Sequence, residues 1–534
     1  MAGQNDRPCN CPARTLPPEH SPQLPCKPTK ENLPKLKKYI LERYSSSAFN
    51  CCEMQALPLM KDSPPLRLFV DKLAKPVSIF TPSKVPVHWS ASVKAGLDRD
   101  ERLGVIERVP VNEPVSWTSR MVITAKANGD HRRTVDYQEV NKYAPRQTHH
   151  TESPWSIVSA IPGDKVKTVL DCFHGYHSVP IHPDDRHYTC FLTPWGRYRY
   201  ITSPQGFISA GDGYSDRMDR IIGDFSDCKK CIDDSIIWDN TIEDNFHQVC
   251  LFLDRCSKAG CVFNPAKFQF GEETVKYLGF KVTSTGITPT EGFLDSIINF
   301  PTPKTLTDIR SLYGAVNQIS YAFAGAPIMQ PFRHLLSSKV PFYWDGGMDK
   351  AFEASKLEIV RQCEKGVRSF TPNAPTALAT DWSKYGMGFW LAQKFCKCEG
   401  DPMPGCCNSG WQSVYCGSRF CTPAEANYHP IEGEVAAAMH GLDKCRHFVL
   451  GLENLILCVD HKPLLGILGD QGLADIQNPR LMNFKLKSLA FRFKPVYIKG
   501  KDHIIPDTWS RRNDSPLQEE YAANPRPKST DLTA

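Results

Sequence analysis

The chain has 534 residues, with 64 Lys and Arg against 58 Asp and Glu, a formal net charge of +6. At ~100–200 residues per domain there is room for about three to five units, and a composition of 41% hydrophobic and 23% charged residues excludes wholesale disorder. No apolar run approaches the ~20 residues of a membrane span, and the opening MAGQNDRPCNCPARTLPP lacks an apolar signal core. A cytoplasmic or nuclear protein with reduced thiols at most of its 21 cysteines is therefore expected. The mild basicity permits nucleic acid as a partner without arguing for it.

The first thirty residues, rich in Pro and Cys, read as a disordered arm. From Thr29, TKENLPKLKKYILERY has apolar residues at helical spacing. Residues 54–90 alternate short extended pieces with prolines, and HWSASVKAGLDRDERLGVIERV reads as a helix followed by a strand. SRMVITAKANGDHRRTVDY is strand, Asn-Gly turn, strand. DKVKTVLDCF is a strand ending at an acid, and RHYTCFLTPWGRYRYIT is a hairpin turning at Pro194-Trp195-Gly196. SAGDGYSDRMDRIIGDF predicts a helix, CKKCIDDSIIWDN a short hairpin with acids at its tip, and TIEDNFHQVCLFLDRCSKAG a helix with a Gly stop. Residues 283–365 read as mostly helical. A second α/β block follows Phe370: two strands around ATDWSKYGMGFWLAQ, the helix PIEGEVAAAMHGLDKCRHFV and the strand NLILCVD. The tail after Asn513 is polar and reads as disordered.

Two sets of carboxylates carry chemistry. Asp233 and Asp234 are adjacent between apolar neighbours, and Asp171 ends the strand VKTVLD. Neighbours in a strand face opposite ways, so a tight turn must bring the pair to one mouth. Adjacent carboxylates repel unless a cation sits between them, and three acids at strand ends suit divalent ions. Metal-assisted phosphoryl transfer is the chemistry such a set supports. An Asp-Asp pair by itself is most often a solvated turn, so the surrounding motifs decide.

Those surroundings resemble the reverse transcriptase of gypsy-like LTR retrotransposons, through the polymerase from about Gly96 to Trp344 and through an RNase H domain from about Phe370 to Arg512. SRMVITAKANGDHRRTVDYQEVNK is similar to the fingers hairpin, and TVLDCFHGYHSVPIHPDDRHYTCFLTPWGRYRY to the first palm motif. PQGFISAGDGY, CIDD and NPAKFQFGEETVKYLGF occupy the later motifs in order. The resemblance implies a multidomain α+β and α/β chain: a right-hand polymerase of fingers, palm and thumb, then a connection and an RNase H-like domain. The expected divisions are an N-terminal extension over 31–95, fingers and palm over 96–282, thumb and connection over 283–369, RNase H over 370–513 and a tail over 514–534.

The resemblance also implies roles. Asp171, Asp233 and Asp234 match the metal-binding acids, with the Cys172 backbone adding a carbonyl; Lys126 and Arg132 match the clamp on the incoming triphosphate. Tyr176 matches the steric gate against a ribose 2′-hydroxyl, Gln205 a contact near the sugar, and Lys267 the lysine that assists the leaving pyrophosphate. Tyr277, Leu278 and Gly279 match the primer grip. In the C-terminal block, Asp381 before a Gly-containing turn, Glu434 in a long helix, Asp460 at a strand end and Asp507 opening a last helical piece match the RNase H acids. Glu432 is one step out of register and reads as surface, and His503 as a loop histidine. Mg²⁺, or Mn²⁺, is the expected cofactor, and RNA template, DNA primer, RNA/DNA hybrid and dNTPs are the expected partners.

Three departures stand in the polymerase: Cys231 for the usual aromatic beside the Asp pair, PQGF in the second palm motif, and His131 for a tryptophan. In RNase H, Trp382 replaces a small residue, where it would crowd the site or stack on substrate. Cys396, Cys398, Cys406 and Cys407 read C-x-C-x7-C-C, which lacks the usual C-x₂₋₄-C pairs of zinc sites and leaves their role open. With no protease box, nucleic-acid knuckle or integrase motif, the chain is expected to be the polymerase and RNase H section of a longer polyprotein, or an isolated reading frame from one. A decayed or co-opted nucleic-acid-binding protein, an RNA-dependent RNA polymerase and a stand-alone nuclease are the alternatives.

Overall fold

The computed structural model describes residues 13–498 except 51, 62, 126–128, 324, 400–403, 405, 408 and 409. These form two compact units, the first drawn from residues 1–157 and 164–278, the second from 158–163 and 279–534. Among the described residues no helix is long and apolar enough to cross a membrane.

The first unit holds two sheets. One has five strands in the order Ile106–Arg108, Gly196–Tyr200, Phe191–Thr193, Ser119–Ala125 and His131–Asp136. The last two pair antiparallel, from Arg120 opposite Asp136 to Ala125 opposite His131, and Gly129 between them has φ 81°, where a side chain would be strained; Asn128 of the expected turn lies outside the described residues. The other sheet is fully antiparallel: Cys228–Cys231, Asp234–Asp239, Val166–Asp171 and Gln269–Glu272. Helices Ala210–Ile222 and Ile242–Ala259 bury their apolar faces in the same core as this sheet, through Tyr214, Met218, Phe246, Val249, Leu253 and Cys256. The second helix starts where the Thr241 side chain accepts from the Asp244 N–H and stops at Gly260, φ 91°.

Two expectations need correction here. Residues 13–29 do not belong to a disordered arm. The Arg14 guanidinium donates to the carbonyls of Ser47 and Phe49, both at 3.2 Å, and Leu24 and Cys26 pack on the core. Arg186–Thr189, read as part of a hairpin strand, lies in the short helix Pro183–Thr189, which the His182 ring caps by accepting from the Asp184 N–H.

The second unit holds a short sheet, part of it inside the stretch that is, as expected, mostly helical. Phe280–Val282 and Gly286–Pro289 pair antiparallel, and Val367–Arg368 joins them. The Thr283 hydroxyl accepts from the N–H groups of Thr285 and Gly286, closing a polar turn that helical spacing does not reveal. Helices Glu291–Ile298, Leu306–Gln318 and Gly346–Cys363 follow, the middle one carrying a Thr305–Asp308 capping box.

The C-terminal part is a five-stranded mixed sheet in the order Trp411–Phe420, Gly386–Lys394, Thr376–Trp382, Leu455–Val459 and Phe493–Tyr497. The first three strands are antiparallel and the last two run parallel to Thr376–Trp382. Helix Pro430–Lys444 lies on this sheet with a small-residue face of Gly433, Ala437 and Gly441. A Cβ on Gly441 would stand 2.7 Å from Thr380 Cγ2, and one on Gly433 would overlap the Trp382 indole. Trp382 is thus packed against the helix, in space that Gly433 leaves open. We predict that Gly433→Ala destabilises this unit by about 1–3 kcal/mol through overpacking, and that the cost shrinks in a Trp382→Ala background. Urea unfolding of the four chains of that cycle measures it; equal costs in both backgrounds contradict the packing assignment.

Candidate catalytic centres

The first centre is built from the end of one strand and the hairpin beside it. Asp171 closes the strand Val166–Asp171 and lies directly across from Asp234. Cys231 pairs with Asp234, leaving Ile232 and Asp233 as a two-residue turn. Ile232 sits at φ 55°. A β-branched side chain in the left-handed region is strained by about 1–3 kcal/mol, and that strain is the condition for bringing both acids to one mouth. Main-chain bonds then fix each acid. The Asp233 carbonyl accepts from the Cys172 N–H at 2.9 Å, and the Asp171 carbonyl from the Asn264 N–H at 2.8 Å. The Asp234 carbonyl accepts from the Tyr277 hydroxyl at 3.2 Å.

The carboxylates are crowded and poor in cations. Burial, and then the charge of Asp171, push both Asp233 and Asp234 up to about 6. Lys267 Nζ contacts Asp171 Oδ2 at 2.8 Å, and its charge partly offsets both shifts. Asp233 Oδ1 is buried and has no hydrogen-bond partner among the described residues. Residue 175 has to be glycine: a Cβ there would stand 2.9 Å from that oxygen and 2.7 Å from the Tyr214 ring, closer than either allows. An unpaired buried carboxylate oxygen is what a hard divalent cation fits.

The other expected polymerase residues divide into three groups. Tyr176 and Lys267 belong with the acids: the Tyr176 ring is 5.6 Å from that of Tyr214, and burial with the nearby Asp233 charge pushes its phenol up to about 12. Arg132 and Gln205 are joined to each other, the guanidinium donating to Gln205 Oε1 at 2.9 Å. Tyr277 lies buried beneath the hairpin, while Leu278 and Gly279 take φ of 51° and 85° at the turn that follows. The Cys172 side chain is buried, so it presents only main chain at the strand end. Lys126 lies outside the described residues. Gly175 and His174 escaped the sequence reading. His174, at φ 48°, points its Nε2 to Glu53 at 3.2 Å and lowers the Asp233 shift. The signal for both was a glycine set among aromatic and histidine residues just past an acid-ending strand.

The second centre lies in the mixed sheet. Asp381 is wholly buried on its strand, Glu434 projects from the facing helix, and Asp460 follows the strand Leu455–Val459. One carboxylate oxygen of each lies within 4.8 Å of the others, spacing that lets a single metal ion touch all three. Asp507 and His503 lie outside the described residues. Glu432 is not free surface. It accepts from Asn478 Nδ2 at 2.9 Å and Arg480 at 2.8 Å and closes the cap of its own helix with His429, tying that helix to the one at Pro479–Ser488.

Comparison with known proteins finds a matching domain around each set of acids. Residues 123–282 match the family model of reverse transcriptase (RNA-dependent DNA polymerase), and residues 371–490 match that of the RNase H-like domain found in reverse transcriptase. The two models contain all the described acids of the two centres. The chain is 24% identical over 398 residues to the Transposon Tf2-3 and Tf2-7 polyproteins of Schizosaccharomyces pombe. That match takes in 73% of this chain but 28% of theirs, so the chain spans little more than a quarter of these relatives. Its fold is similar to a foamy viral protease-reverse transcriptase in complex with RNA/DNA hybrid, at TM-score 0.70 and 17% identity, over 94% of this chain and 64% of that one. The same viral protein in complex with dsDNA matches at TM-score 0.70 and 18% identity, over 89% and 95%. The chain thus carries a reverse transcriptase-type domain followed in sequence by an RNase H-like domain. The two family models and the transposon relatives together support a reverse transcriptase–RNase H region of the LTR-retrotransposon Pol type.

The raised carboxyls of the first centre give a pH dependence of definite sign. Between the ordinary carboxylate value of 3.8 and about 6, the folded chain binds more protons at Asp233 and Asp234 than the unfolded chain. The contribution of these groups therefore favours folding at acid pH and is lost as pH rises toward about 6. A divalent cation reverses that loss. Mg²⁺ should raise the Tm more near neutrality than at about pH 5, and less in Asp234→Asn. A pH-independent Mg²⁺ effect would contradict the assignment.

Proposed function

We propose that the chain is an RNA-directed DNA polymerase with ribonuclease H activity on RNA/DNA hybrids, acting within an LTR-retrotransposon Pol. The observation that carries this reading is the convergence of two separate acid triads, Asp171–Asp233–Asp234 and Asp381–Glu434–Asp460, in domains of matching family and order.

Asp171, Asp233 and Asp234, with the Cys172 carbonyl, would hold Mg²⁺, or Mn²⁺, in the polymerase, and Asp381, Glu434 and Asp460 with Asp507 would do so in the nuclease. A pair of such ions supplies the positive charge that an in-line displacement needs at its attacking and leaving oxygens. The protein's own groups do the rest. The primer end rests at Tyr277-Leu278-Gly279, where the left-handed turn turns main chain outward. Lys126 and Arg132 neutralise the incoming triphosphate, with Arg132 oriented by Gln205. Lys267 exchanges Asp171 for the leaving pyrophosphate. Tyr176 fills the space a 2′-hydroxyl would need and selects dNTPs. RNA template, DNA primer and their hybrid are held mainly through phosphates, so binding weakens steeply with salt.

Primer extension on an RNA template with dNTPs and Mg²⁺ tests the reading. Extension by the wild-type chain is expected, with a loss of at least about 100-fold in Asp233→Asn. Tyr176→Ala should raise ribonucleotide use relative to dNTPs by about tenfold or more. Hybrid binding without extension would instead favour a co-opted binding protein, and cleavage without extension a stand-alone nuclease.

A further inference from the structure

The strands Gly386–Lys394 and Trp411–Phe420 are the longest antiparallel pair in the mixed sheet, and their last register pair is Lys394 with Trp411. The chain leaves the sheet there and returns sixteen residues later carrying four cysteines: Cys396 and Cys398 on the way out, Cys406 and Cys407 on the way back. One Sγ of each lies within 4.8 Å of all the others. The Cys396–Cys406 separation is 3.4 Å, well beyond the ~2.05 Å of a disulfide. Four thiolates around one zinc ion, with Zn–S near 2.3 Å, stand about 3.8 Å apart, a spacing that falls within the 4.8 Å that holds these four sulfurs. A two-iron cluster would hold its thiolates in two more widely separated pairs.

A second observation is independent of the sulfurs. Gly410 packs against the cluster: a Cβ there would overlap Cys396 Sγ and stand 2.6 Å from Cys407 Sγ. The Gly410 carbonyl accepts from the Phe395 N–H at 2.7 Å, holding the two limbs together just outside the sheet. Lys394 Nζ donates to the Cys398 carbonyl at 2.7 Å, setting a cation beside a group of four thiols. Four thiolates with Zn²⁺ carry net charge −2, which such a neighbour offsets. None of the described residues of 395–410 belongs to the apolar clusters of the sheet, and a segment that adds little to a core is where a structural metal is used.

We propose that Cys396, Cys398, Cys406 and Cys407 form a structural zinc site that closes the insertion of the RNase H-like domain. It is separate from the carboxylate centres and takes a soft, thiolate-preferring ion rather than Mg²⁺. The full chain, expressed with zinc supplied and desalted, should hold one zinc and no iron by elemental analysis. Substituting Co²⁺ should give the visible spectrum of a tetrahedral tetrathiolate. Cys398→Ser and Cys407→Ser should each lose the zinc, Gly410→Val should weaken its retention, and Cys52→Ser should keep it. Circular dichroism of each variant reports whether the rest of the chain remains folded. A wild-type chain free of zinc, a zinc content unchanged in both cysteine variants, or a disulfide among these four cysteines in the native chain would overturn the proposal.

Discussion

Mutual repulsion of buried carboxylates is the constraint around which this chain is organised. Asp171 and Asp234 face each other across two strands, with Asp233 at the adjoining turn. Burial and Asp171 together hold Asp233 and Asp234 near 6, where an ordinary carboxylate would be fully charged well below that pH. One lysine contact, Lys267 to Asp171, is too little to neutralise three acids. Divalent cations would relieve that repulsion, and Asp381, Glu434 and Asp460 bring a second set of carboxylate oxygens within 4.8 Å of one another.

The fold spends local stability to assemble each triad. In the first unit, a β-branched Ile232 accepts a left-handed conformation so that a two-residue turn presents both aspartates. Gly175 lets Asp233 and the Tyr214 ring pack closely against the main chain, and Tyr277 anchors the hairpin from below. In the second unit, the small-residue face of helix Pro430–Lys444 lets it sit close enough for Glu434 to meet Asp381. Trp382 fits there because residue 433 has no side chain. The tryptophan and the glycine form a matched pair, and the departure at 382 is absorbed by packing.

The acids were legible in the sequence because strand ends and motif order mark them: Asp171, Asp233, Asp234, Asp381, Glu434 and Asp460 all fall where their local elements were expected. The carboxylates' neighbours were less legible. Gly175 matters through a contact with Tyr214 and Asp233, which lie far along the chain, so the local glycine–aromatic–histidine pattern marked its place but not its partners. Glu432 looked like surface because its partners, Asn478 and Arg480, sit on a distant helix. The strand at Gly286–Pro289 was hidden by a helix-rich neighbourhood: its nearer partner Phe280–Val282 is only three residues long, and its other partner, Val367–Arg368, is remote in sequence. The Cys396–Cys407 spacing departed from common zinc motifs, and only the folded hairpin brings the four sulfurs together.

The central claim is that two independent carboxylate centres bind divalent metal in one chain. Titration of Mn²⁺ at neutral pH, followed by electron paramagnetic resonance, tests it on the wild type, Asp234→Asn and Asp381→Asn. The account predicts two classes of bound ion, the first weakened only in Asp234→Asn and the second only in Asp381→Asn. Mn²⁺ binding unchanged in both variants would contradict it.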